Sequence, residues 1–210
     1  MKKQSFLTVD GEFSFTTVIE KSKFICYLKH VESEDDARSF VAQIKKKHFD
    51  ATHNCSAFVA DANGTISRFS DDGEPQGTAG FPMLDALLKR EIFEVCAVVT
   101  RYFGGIKLGA GGLVRAYSGA VTSALDNAKI VEKRLVQTLK VSVGFDKYYI
   151  LLRLENSDAI IIDREFSNEV TVTFAVKKSA VESFIANLTE TFLGKINYEF
   201  CGEEYALLKV

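Results

Sequence analysis

The chain has 210 residues, 47% of them hydrophobic and 26% charged, with a formal net charge of −2. That balance is ordinary for a soluble globular protein; it excludes a disordered chain and a globally basic nucleic-acid binder, so any phosphate contact must come from a local patch. The four cysteines (Cys26, Cys55, Cys96 and Cys201) contain no C-x-x-C pair, which excludes a patterned zinc site or disulfide framework and reads as four buried free thiols in a reducing compartment.

Lys2 and Lys3 make the N-terminus basic, but Asp10, Gly11 and Glu12 interrupt the stretch where a signal peptide needs its apolar core. The longest apolar runs, Val95 to Val99 and Ala159 to Ile162, are far too short to span a bilayer. A cytoplasmic protein with no membrane partner is the expectation. Phe13 to Val31 is rich in β-branched and aromatic residues and predicts two strands around a turn near Glu20-Lys21-Ser22. Ser33, followed by Glu34, Asp35 and Asp36, predicts a helix whose apolar face is Ala37, Phe40, Val41 and Ile44, closing on Lys45-Lys46-Lys47. Cys55 to Ala60 predicts a strand, Asn63-Gly64 a turn, and Ile66 to Phe69 a returning strand.

A loop dense in Asp, Gly and Pro follows, Ser70 to Gly80, and Pro82 is placed for the first turn of a helix carrying Met83, Leu84, Leu87 and Leu88. Val95 to Thr100 is a near-continuous apolar run of strand length, as a strand buried on both faces requires. Gly104 to Gly112 leads into a helix with Leu113, Ala116, Tyr117, Ala120, Val121, Ala124, Leu125 and Ala128 on one face. The charged segment Glu132-Lys133-Arg134 marks the expected boundary between a first domain, 1–133, and a second, 137–210. The second reads as a strand from Leu139 to Phe145, then a helix capped by Asp146 and running through Leu154. A hairpin over Ala159–Phe166 and Val170–Val176 follows, then a helix opened by a Ser179-to-Glu182 capping box. A strand over Lys195–Phe200 ends the series, with Tyr205 to Val210 as an added edge strand. This β-α-β-β-α-β order is ferredoxin-like, and the fold class predicted is α+β in both domains.

Two stretches can carry chemistry. In the first, Arg101 to Arg115, glycines at Gly104, Gly105 and Gly109 let backbone approach a ligand. The following helix start offers free amides, Arg101, Lys107 and Arg115 add cations, and Tyr102 and Phe103 add rings. It matches neither the P-loop nor the dinucleotide fingerprint. Anion binding and plain helix–sheet packing both fit it. The second stretch places Asp71, Asp72 and Glu74 within a few residues. Acid–base or Mg²⁺ chemistry fits, and so does an ordinary turn ahead of a helix. His53 lies close to Cys55, and a structural histidine accounts for it better than a Cys–His nucleophile pair. Lys21 and Lys23 form a basic hairpin tip, either a solvated turn or an added phosphate contact. His30 and His48 have no patterned partner.

Four blocks, Lys21-Ser22-Lys23-Phe24-Ile25, His53-Asn54-Cys55, Ser70 to Gly80 and Thr100 to Tyr117, together resemble the signature of the Impact/YigZ family, in order and spacing, over residues 15–127. The second domain resembles the smaller one appended in that family's bacterial branch. The resemblance implies an N-terminal β-α domain of the ribosomal-protein and elongation-factor type, and a C-terminal domain like the last domain of elongation factor G. Eukaryotic relatives are translation regulators that carry an additional interaction domain. By analogy the expected function is non-catalytic binding of RNA or ribosomal components, acting on translation under stress, with no cofactor and no metal. On this reading Arg101, Lys107 and Arg115, with the amides of Gly104, Gly105 and Gly109, contact phosphate, and Lys21 and Lys23 sit at the rim. Two rival readings remain. One is an enzyme acting on a phosphorylated small molecule through Asp71, Asp72, Glu74 and His53, for which both loops must face one pocket; the other is a module for a protein partner.

Overall fold

The computed structural model describes residues 3–207, which fall into two compact units meeting at Val131/Glu132. The first unit comprises β1 (Ser5–Val9), β2 (Glu12–Ile19), β3 (Ser22–His30), α1 (Glu34–Lys47), β4 (His53–Val59), β5 (Ser67–Ser70), α2 (Gly80–Lys89), β6 (Val95–Tyr102) and α3 (Gly109–Asn127). Five of the strands form an antiparallel sheet in the order β2-β3-β6-β4-β5. β6 is central, and its residues from Val95 to Arg101 are all buried, which is what the apolar run demands.

Alternation along β6 sends Cys96 and Val98 to one face, where they pack with Ile25, Tyr27, Phe58 and the apolar stripe of α1, Ala37, Phe40 and Ile44. Burying Phe40 and Ile44 contributes about 1.5–3 kcal/mol each. Ser33 caps α1 as its sequence indicates, its side chain accepting from the Asp36 amide at 3.1 Å, and Lys45, Lys46 and Lys47 close the last turn. The other face of the sheet carries Phe24, Cys55, Ala97 and Val99, and α2 and α3 supply Met83, Leu87, Leu113, Tyr117 and Val121 to the buried core. Between β4 and β5 the chain turns on Asp61, whose carboxylate accepts from the Ile66 amide at 2.7 Å and the Thr65 hydroxyl at 2.8 Å.

The second unit is built on β7 (Ile130–Val143), α4 (Tyr148–Leu152), β8 (Ala159–Phe166), β9 (Val170–Lys177), α5 (Val181–Thr191) and β10 (Tyr198–Leu207). Its strands pair antiparallel in the order β8-β9-β7-β10. Two helices are set between these strands, making a small mixed α/β unit. Val141, Val172 and Phe174 meet Phe184 and Leu188 of α5 in its core.

Several expectations are corrected. β1 was not foreseen; it is held in the first unit by a parallel bridge from Leu7 to Ile92, and Phe6 and Val9 are buried. Glu132-Lys133-Arg134, the segment expected at the boundary, lies within β7, whose pairing with β10 reaches as far as Lys133↔Leu207. The helix expected from Asp146 to Leu154 shortens to a 3-10 turn and the five residues of α4, and Asp146 lies inside that turn rather than capping it. No capping box forms at Ser179. A 3-10 turn over Lys178–Ala180 precedes α5, and Ala180 occupies the cap position. The two C-terminal strands expected are one, β10, with a register shift between Phe200 and Gly202; residues 208–210 lie outside the described residues. That shift leaves Cys201 out of the pairing and exposed, whereas Cys26, Cys55 and Cys96 are buried free thiols as expected.

Candidate functional site

Strand register assembles the site. Arg101 lies beside Phe24 of β3 and His53 of β4, so the three share one row and one face of the sheet. The row lies on the α3 side, where the Tyr117 ring meets Phe24 edge-on at 5.3 Å between centroids. The loop after β5 lowers Glu74 into this row. Its Oε1 accepts from Arg101 Nη1 at 2.6 Å and from the Tyr117 hydroxyl at 2.8 Å. Side-chain exposure is 6% for Arg101 and 4% for Glu74, so this ion pair is almost wholly desolvated. Burial first, and then the neighbouring Cys55, pushes the Tyr117 phenol far above its ordinary range, which keeps it the donor.

Glu74 Oε2 faces His53 Nε2 at 3.7 Å, too far for a hydrogen bond. His53 Nδ1 lies 2.8 Å from the Asp72 carbonyl oxygen. A carbonyl only accepts, so Nδ1 carries a proton and donates it to Asp72. Cys55, two residues on along β4, donates its thiol to the Asp71 carbonyl at 2.9 Å. Burial raises that thiol to about 12, the opposite of what a nucleophile requires.

The three carboxylates of the acidic loop diverge. Asp71 accepts from the amides of Gly77, Ala79 and Gly80 at 2.8–3.0 Å, satisfying the free donors at the start of α2. Asp72 takes the Asn54 amide at 2.6 Å and pairs with Lys45. Only Glu74 enters the row. The three are engaged separately because each serves a different element of the fold.

The glycine loop closes the row from the other side. Gly104 donates its amide to Ser22 Oγ at 3.1 Å, and a Cβ there would stand 2.0 Å from the Lys21 carbonyl carbon. Glycine is obligatory at that point, and it locks the hairpin tip to the loop. Gly109, with φ +69°, starts α3 in a conformation that side chains resist. Lys107 and Arg115 are exposed, as are Lys21 and Lys23, and none of the four has an ion pair among the described residues. Arg101 differs from its expected role: its charge is neutralised by Glu74 inside the protein, though its Nε lacks an acceptor among the described residues.

Two clefts flank the loop. One, of about 310 Å³, is lined by His53, Glu74, Arg101, Phe103, Lys107 and Gly109, among others, so the acidic and glycine-rich stretches do meet. The other, of about 430 Å³, joins Glu20 of the hairpin tip to Lys107 and Arg115. Sequence reasoning missed Ser22 and Tyr117 as parts of the site. The phenol of Tyr117 stood out on a helix face otherwise aliphatic and small, which was the available signal. It also gave no role to His48, whose ring nitrogens meet the Tyr27 hydroxyl at 2.7 Å and the Tyr102 hydroxyl at 2.9 Å.

A buried Arg–Glu–Tyr row on an antiparallel sheet, beneath a glycine loop clamped to a hairpin tip and followed by a separate small α/β unit, defines a two-unit α+β protein. Residues 20–125 match the Impact N-terminal domain, and residues 150–195 a domain described only as of unknown function, DUF1949. The chain is 44% identical over 195 residues to the "IMPACT family member YvyE" of Bacillus subtilis, covering 91% of this chain and 88% of that protein. It is 36% identical over 196 residues to the "IMPACT family member YigZ" of Escherichia coli, covering 92% and 96%. A solved structure titled "Crystal structure of an hypothetical protein" superposes with a TM-score of 0.64 at 34% identity, covering 93% of this chain and 97% of that one. This chain belongs to the IMPACT family. No helix among the described residues is long and apolar enough to cross a membrane.

Proposed function

We propose that the first unit binds RNA through its phosphate backbone, without catalysing a reaction on it, at the surface formed by the β2–β3 hairpin tip and the glycine loop. The observation that carries this reading is that Lys21, Lys23, Lys107 and Arg115 are exposed and free of ion pairs on two segments locked together at Gly104. Elsewhere on the unit, exposed cations such as Arg38, Lys89 and Arg90 are paired with carboxylates. Leaving a cation cluster unpaired is the local departure that a chain of net charge −2 needs if it is to hold a polyanion. Phe103, 46% exposed at the loop's edge, offers a ring on which a base can stack. Translation-associated RNA is the class that the family analogy suggests.

The test is binding of labelled single-stranded RNA to the whole protein across a salt series, with Lys107→Glu and Arg115→Glu alongside. If about four phosphates are engaged, log affinity falls against log salt with a slope near −3, and each substitution reduces that slope by about 0.7. Salt-independent binding, or binding that both variants retain unchanged, removes the proposal.

A further inference from the structure

The 310 Å³ cleft holds an arrangement that backbone contact with RNA does not use. We propose that it is a binding site for a nucleoside monophosphate, distinct from the RNA surface and sharing Lys107 and Phe103 with it. The volume stands at the small end of the range for ligand sites, suited to one nucleotide and too small for a dinucleotide. In its lining Glu74 Oε2 and His53 Nε2 stand 3.7 Å apart, and neither makes a hydrogen bond among the described residues. Glu74 is 8% exposed, so this carboxylate oxygen, which accepts no hydrogen bond among the described residues, belongs to a residue deep in the protein that also lines the cleft. A carboxylate oxygen facing the cleft without a hydrogen bond suits a ligand with N–H or O–H donors, such as an exocyclic amine, a ring imide or a ribose hydroxyl.

The same cleft also offers a place for an anion. Lys107 and the first residues of α3, Gly109 and Ala110, line it. No side chain caps α3 and its first turn has no acidic residue, so the free amides and the positive end of a 19-residue helix are open to a phosphate. The exposed ring of Phe103, with Leu108 and Leu113, gives an apolar wall for a base. A carboxylate acceptor, an apolar wall and the free amides of a helix start together match the donor groups, base and phosphate of a mononucleotide. The same chemistry is offered by a free nucleotide and by the 5′-monophosphorylated end of an RNA strand.

Titration calorimetry of the whole protein with the four ribonucleoside 5′-monophosphates and the matching nucleosides tests this, with Ala110→Asp as the variant. Ala110 is exposed, and an acidic residue in a first helical turn favours the helix, so the variant should fold while its carboxylate repels the phosphate. Saturable binding of at least one monophosphate is expected, about tenfold or more weaker for its nucleoside and lost in Ala110→Asp. Oligonucleotides with and without a 5′-phosphate separate the two sources: a preference for the phosphorylated end assigns the site to RNA termini, and none assigns it to free nucleotide. Failure of all four monophosphates to bind at millimolar concentration overturns the proposal, as does binding undiminished in Ala110→Asp. Salt-sensitive RNA binding without mononucleotide binding would overturn the cleft alone. Mononucleotide binding without RNA binding would overturn the RNA surface alone.

Discussion

Replacing Glu74 by alanine should destabilise the first unit more than almost any other single change at the site. The Arg101 guanidinium is 6% exposed in its side chain, and Glu74 is its only anionic partner among the described residues. A guanidinium cannot shed its proton, so Glu74→Ala leaves an uncompensated buried charge and deprives the Tyr117 hydroxyl of its acceptor. Breaking a buried pair from one side costs about 3–5 kcal/mol. In a chain of this size, each kcal/mol moves the melting temperature by about 2–4 °C, giving a loss of roughly 6–20 °C. Replacing both partners, Glu74→Leu with Arg101→Met, removes the charge as well as its partner and should recover most of that loss. Urea unfolding of the two single variants, the double variant and the wild type measures the coupling. A Glu74→Ala loss under about 1 kcal/mol, or a double variant whose loss equals the sum of the singles, would refute the reasoning.

His48 is held below the ordinary histidine range, by burial first and then by Lys47. The unfolded chain therefore takes up this proton first: the His48 contribution is complete above about pH 6.5 and is lost as pH falls through the lower folded value. The urea midpoint of the wild type should drop more steeply below pH 6.5 than that of His48→Asn, and parallel profiles would contradict the assignment. Alkylation of the native protein followed by mass spectrometry should modify Cys201 alone among the four thiols. Burial raises Cys55 and Cys96 to about 12 and Cys26 further still, so rapid modification of any of these before denaturation would argue against the packing described.

What the sequence disclosed was what local pattern determines. The buried run of β6, the Ser33 cap and the stripe of α1 could each be read from neighbouring residues, because each depends on spacing along a single element. The site depended on register instead. Arg101 was read as the first residue of a ligand loop because a cation ends an apolar run. In the fold it is still within β6, and a carboxylate 27 residues earlier in the chain neutralises it. The three acidic residues looked like one cluster for the same reason. Nothing in their spacing reveals that Asp71 would serve α2, Asp72 would serve Lys45 and Asn54, and Glu74 would serve β6 and α3. In the second unit, Asp146 and Ser179 are residue types that favour caps, yet the chain enters both helices through 3-10 turns that leave the cap position to another residue.

The distribution of those carboxylates also decides which wall of the smaller cleft can give way. A loop tied by Asp71 to one helix, by Asp72 to a second helix and a strand, and by Glu74 to the central strand is a fixed jamb: swinging it outward would break all three sets of contacts at once. The opposite wall is hinged more simply. Between the Gly104 anchor on the hairpin and the first turn of α3 runs only a short segment, with exposed glycines at Gly105 and Gly109. Any widening needed to admit or release a guest therefore falls to the Gly105–Gly109 side, and the residue that travels with it is Lys107.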